Sequence, residues 1–133
     1  MSVLLDTHVW VWWLTSTSPL DPRERNALDA LADQAALHLA AISLWEVQLL
    51  HAKRRLEFGV PLAEWLTRAT DPRVLTVVPL DLDVVLALDA LPARFHGDPA
   101  DRMIVATARA RRLALATHDK RIRRARVVSL WAS

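Results

Sequence analysis

Short apolar runs alternate with segments of helical spacing from one end of this chain to the other, and that alternation limits its fold more than any other feature. Residues 2–5, 37–42, 74–80, 113–117 and 126–130 read as strands, with Pro79 placing the third of them at an end or an edge. Between them the spacing predicts helices. One spans residues 7–14 and is entered through Asp6 or Thr7; one spans 22–33, with Pro22 in the first turn after Asp21. Ser43 opens another, from 44 to about 55, and Pro61 starts the next, which contains Trp65 and is closed by Pro72. Residues 84–91 stop at Pro92, and 99–112 are entered through Asp98. Strands in turn with helices imply an α/β domain built on a mainly parallel sheet. The chain has 133 residues, no repeat and no linker, so a single domain over 1–133 is expected.

Composition excludes several function classes. With 53% hydrophobic residues, 24% charged residues and two glycines, the chain is not of disordered or collagen-like type. It has no cysteine, which removes disulfides, thiolate metal sites and a cysteine nucleophile, and suits a reducing cytoplasm. The apolar start carries Asp6 and lacks a basic flank, unlike a secretion signal, and no window approaches the ~20 apolar residues of a membrane span. A soluble protein with no membrane partner is expected. Charge is unevenly spread. Residues 1–101 hold 8 Lys/Arg against 14 Asp/Glu, whereas 102–133 hold 9 Lys/Arg against the single acid Asp119. Arg102, Arg109, Arg112, Lys120, Arg121 and Arg124 are therefore candidates for contact with a nucleic-acid backbone, alongside Arg111, Arg123 and Arg126. A solvated helix face and a basic turn would account for the same charges.

Carboxylates stand where strands give way to helices: Asp6, Glu46, the pair Asp98 and Asp101, and Asp119. In a parallel sheet the carboxyl ends of the strands share one edge, so acids far apart in sequence can meet there. An all-oxygen cluster selects a hard divalent cation such as Mg2+ or Mn2+. Each acid also has a purely structural explanation. Ser43-Leu44-Trp45-Glu46 fits a capping box, Asp98 and Asp101 fit the first turn of a helix entered through Pro99, and Asp6 and Asp119 suit caps or turns. The coincidence of all of them at strand ends favours a site. The five histidines show no zinc spacing, although His118 adjoins Asp119. Six tryptophans suit core or interface positions, and neither a G-x-S-x-G elbow nor a glycine-rich phosphate loop is present.

Leu5-Asp6-Thr7, Ile42-Ser43-Leu44-Trp45-Glu46, the stretch from His96 through Asp98-Pro99-Ala100-Asp101-Arg102 to Ala108, and Thr117-His118-Asp119 together resemble the PIN-domain family, and within it the VapC-type ribonuclease toxins. The likeness runs over almost the whole chain. It implies a three-layer α/β/α sandwich with a mainly parallel central sheet and a Mg2+- or Mn2+-dependent endoribonuclease. Position by position, it places the acidic quartet on Asp6, Glu46, Asp101 and Asp119, with Asp98 as a further ligand and Thr7, Ser43 and Thr117 as supporting hydroxyls. It also implies an RNA substrate, a cognate antitoxin and a homodimer. A binding module without catalysis, or a metal-dependent nuclease or phosphatase acting on another substrate, are the rival readings.

Overall fold

The computed structural model describes every residue except Thr17, Ser18 and His96; the histidine of the motif thus lies outside the described residues. Four strands form the sheet: β1 (Val3–Leu5), β2 (Leu37–Ala40), β3 (Thr76–Val78) and β4 (Ala114–Ala116). All pairings are parallel and the order is β3-β2-β1-β4. Strands covered on both faces need no polar alternation, which is why they read as unbroken apolar runs. Leu4, Ala40, Val78 and Leu115 point to one face, where they meet Val84, Ile104 and Ile122. Their neighbours Val3, Leu5, Leu37 and Leu39 point to the other, against Trp10, Leu28 and Val47.

Helices fill both layers, as the sequence implies. The first face carries α5 (Leu82–Asp89), α6 (Pro99–Arg111) and α7 (Lys120–Ala125). The second carries α1 (Thr7–Thr15), α2 (Pro22–Asp33), α3 (Ala41–Ala52) and α4 (Leu62–Ala69). Asp21 caps α2, its Oδ1 accepting from the Glu24 N–H at 2.8 Å. Asp21→Ala is expected to cost about 1 kcal/mol, read as a thermal midpoint lower by several degrees. No helix among the described residues is long and apolar enough to cross a membrane.

Two expectations need correction. Helix α3 starts at Ala41, behind a cap at Ala40 that makes no side-chain bond, so Ser43 lies inside the first turn and is fully buried. The capping-box explanation of Glu46 therefore fails, because its serine is not at the cap. Residues 126–130 are not a strand: only Leu130 bridges Leu115. The segment before them forms α7, whose sequence KRIRRA has one buried apolar anchor, Ile122, and so shows no helical pattern.

Candidate active site

The chain steps from β1 to β2 to β3 in one direction and then places β4 on the other side of β1. The carboxyl ends of β1 and β4 thus flank the point where strand order reverses, the usual position of an α/β site. Asp6 follows β1 and Asp119 lies shortly after β4. A cavity of about 340 Å³ at this edge is lined by Asp6, Glu46, Asp98, Asp101 and Asp119, together with His8, Trp12 and His118. The acids that the sequence scatters over nearly its whole length are brought together here.

Asp6 is the most deeply set, 5% exposed. Its Oδ1 accepts from the Thr7 N–H at 2.8 Å, capping α1, and its Oδ2 accepts from the Thr117 hydroxyl at 2.7 Å. Thr117 Oγ1 in turn accepts from the Asp119 N–H at 3.0 Å, so one hydroxyl fixes two of the acids. Asp119 spends Oδ1 on the N–H groups of Arg121 and Ile122 and caps α7. Across the cavity, Thr7 donates its hydroxyl to Ser43 Oγ at 2.8 Å, tying α1 to α3, which carries Glu46 one turn further along the same side. The three hydroxyls read as supports are all buried, and each is bonded within this network.

Glu46 and Asp101 are set differently. Glu46 Oε1 is buried with no hydrogen-bond partner, a position that is costly for a carboxylate unless something else occupies it. Burial pushes the Glu46 carboxyl above its usual range, with Asp6 and Asp98 adding repulsion and the Thr7 hydroxyl and His8 opposing. Burial likewise raises Asp6, against the Thr117 bond. Asp101 is pushed up to about 7, by burial first and then by repulsion from Asp98, Asp6, Asp119 and Glu46. Its capping role belongs to its neighbour: Asp98 Oδ1 accepts from the Asp101 N–H at 2.8 Å and starts α6. The Asp101 carboxylate is left to the cavity. Among the described residues, no three acids or histidines are drawn together tightly enough to hold an ion as they stand. The donor set nevertheless suits one: it is all oxygen, mutually repelling, and includes the orphaned Glu46 Oε1.

Gly97 belongs to this geometry and was not singled out from the sequence. A Cβ there would stand 2.8 Å from Phe95 Cζ and 3.0 Å from Asp101 Cβ, so any side chain would press on the acid. Its rarity was the available signal, since the chain has only two glycines. Trp12 was likewise not expected at the cavity, whereas His118 was marked by its place beside Asp119; their rings stand edge-on, 5.5 Å apart, and His118 Nε2 meets Glu24 Oε2 at 2.7 Å.

The basic residues divide. Lys120, Arg121 and Arg124 are exposed on α7, which begins directly after Asp119. Arg102 lies in the first turns of α6 and donates to the Phe95 carbonyl at 2.7 Å. Arg109 and Arg112 do not join them. Arg109 donates to the Val127 carbonyl, Arg112 is the left-handed C-cap of α6 with φ 54°, and both line a pocket with Met1, Ser2 and Ala114, at the amino ends of the strands. Arg111 pairs with Asp81 there as well.

The PIN-domain family pattern matches residues 3–128. The chain belongs to the PIN-domain family. This PIN domain is 37% identical over 134 residues to Ribonuclease VapC22 of Mycobacterium tuberculosis, covering 98% of each chain. Among solved structures it is similar to VapBC2 from Rickettsia felis bound to a promoter DNA fragment, with TM-score 0.75, 17% identity and 98% of both chains covered. It is also similar to FitAcB from Neisseria gonorrhoeae, with TM-score 0.71, 22% identity and 98% and 96% of the chains covered. At those identities the structures share the fold of this PIN domain, a parallel sheet between two helical layers.

Proposed function

We propose that this PIN domain is a metal-dependent endoribonuclease, the toxin of a toxin–antitoxin pair acting in the cytoplasm. The observation that carries the reading is the convergence of Asp6, Glu46, Asp98, Asp101 and Asp119 on one cavity, with Glu46 Oε1 buried and unpartnered. The 37% identity to Ribonuclease VapC22 across 98% of the chain supports RNA as the substrate. Asp6 and Asp101 would hold a Mg2+ or Mn2+ ion, with Asp119 toward a second ion or its water shell and Asp98 as an additional ligand. Such an ion, when bound, activates water and neutralises charge on the phosphoryl group. Glu46 serves as a ligand or as the base that orients the attacking water, its free oxygen being available to take a proton. Thr7, Ser43 and Thr117 hold the acids in place, and Lys120, Arg121, Arg124 and Arg102 hold the RNA backbone at the rim.

A cognate antitoxin partner is supported by the VapBC2 and FitAcB likenesses, and a homodimer by the exposed apolar residues Leu80, Leu82, Val85 and Leu86 at α5. The test is incubation of the purified, antitoxin-free protein with a mixed RNA pool, with Mg2+ or Mn2+ and with EDTA. Cleavage with the ions and none with EDTA is the expected result. A folded chain that cuts DNA or a phosphomonoester but no RNA would transfer the reading to the rival substrate, and one that cuts nothing would leave a binding module.

A further inference from the structure

A second cavity, of about 440 Å³, opens beside the acid one, and His118 lines both. The volume lies within the roughly 300–1,000 Å³ that small-ligand sites occupy. Its walls include Lys120, Arg123 and Trp131. Two of these are held by the backbone. Arg123 Nη1 donates to the Thr117 carbonyl at 3.0 Å, which anchors the guanidinium beside the strand end that also positions Asp6 and Asp119. The Trp131 N–H donates to the Leu115 carbonyl at 2.9 Å, and one side of its ring packs on the core around Trp10. Lys120 is exposed at the start of α7. Glu24, the acid in the wall, has its Oε2 engaged by His118 Nε2 at 2.7 Å where the two cavities meet.

A fixed, half-exposed indole beside two cations offers a base a surface to stack on and a phosphate a charge to meet, the pairing by which single strands are held without sequence readout. We propose that this cavity is a nucleotide subsite, holding the residue of the RNA strand next to the cleaved phosphodiester, with its base against Trp131 and its phosphate between Lys120 and Arg123. The proposal rests on the ribonuclease reading above. Because His118 lines both cavities, they are neighbours on this edge, and a strand leaving the acids in that direction reaches the cation-lined cavity next.

The test is steady-state cleavage of a fluorescein-labelled, mixed-sequence single-stranded RNA of about eight nucleotides, a length that one single-strand binding site commonly covers. The parent chain is compared with Lys120→Ala, Trp131→Leu and Trp131→Phe at several salt concentrations. Trp131→Leu is expected to raise KM about tenfold and Trp131→Phe to recover most of that loss, because every base stacks on an aromatic face. Lys120→Ala is expected to raise KM and to flatten its dependence on log salt by about 0.7, the share of one phosphate contact on a single strand. Lys120 is exposed, so its variant carries the test if Trp131→Leu does not fold, which a thermal melt reveals. Unchanged KM and salt slope in Lys120→Ala would overturn the subsite, as would a loss in Trp131→Phe equal to that in a folded Trp131→Leu. If the same variants instead lose a protein partner while RNA cleavage is untouched, the cavity belongs to that partner. A parent chain that cuts no RNA removes the ribonuclease reading itself, an outcome visible before any variant is made.

Discussion

Asp6→Asn is expected to slow RNA cleavage by about a thousandfold while leaving the protein folded. The loss follows from the position of Asp6 at the floor of the acid cavity: removing its charge removes a ligand, and several kcal/mol of transition-state stabilisation at 1.36 kcal/mol per decade is two to four decades of rate. The fold survives because asparagine keeps an acceptor for the Thr7 N–H and is itself a good helix cap. The Thr117 hydroxyl, which now donates to Oδ2, can turn and accept instead. Burial already pushes the Asp6 carboxyl above its usual range, so replacing it by a neutral amide relieves a desolvation cost in the metal-free chain. Its thermal midpoint should therefore fall by no more than a few degrees. Asp6→Ala differs in kind. It strips the acceptors from the Thr7 N–H and the Thr117 hydroxyl, and an unsatisfied buried donor costs about 1–3 kcal/mol. Cleavage by Asp6→Asn within tenfold of the parent would sink the ligand assignment.

The layering of the fold was legible because its cause is local. The apolar runs 2–5 and 37–42 contain the strands β1 and β2, buried except for half-buried His38, and Asp21 and Asp98 announce the helices they cap. The start of α3 was misread because Ser43-x-x-Glu46 has the composition of a capping box; tertiary contact decides otherwise, since Ser43 is drawn inward to accept from Thr7. Helix α7 was invisible because its stability comes from Ile122 and the Asp119 cap, not from a repeating apolar face. At the site, the acids could be found from strand ends and the hydroxyls beside them from the family resemblance, but the packing around them could not. Gly97 beside Asp101 and the ring pair of Trp12 with His118 depend on distances between segments that no spacing rule encodes. The same limit explains the basic residues. One run of positive charge in sequence becomes two groups in space, because α6 crosses the whole depth of the sheet and leaves Arg109 and Arg112 at the opposite edge from Asp101.

Asp101 separates chemistry from helix capping most sharply, because the structure gives the cap to Asp98 and leaves Asp101 raised to about 7 against a model-peptide value of 3.8. In the metal-free chain, folding therefore takes up a proton at Asp101 between about pH 4 and pH 7. The contribution of Asp101 to stability is full below this window, declines as pH rises through it, and is flat again above it. Asp101→Asn cannot titrate, so its melting curve against pH should be shallower, and above pH 7 it should melt at or above the parent, since one charge fewer repels Asp98, Asp6, Asp119 and Glu46. Divalent cation reverses the comparison. An ion at a hundred times its Kd adds about 2.7 kcal/mol to the parent, a rise of several degrees, and Asp101→Asn should lose most of that rise. Asp98→Ala gives the contrasting pattern, a loss of about 1 kcal/mol without metal from the missing cap at α6. An Asp101→Asn protein that melts well below the parent at pH 8 without metal, yet gains as much from Mn2+, would show that Asp101 supports the helix and does not hold the ion.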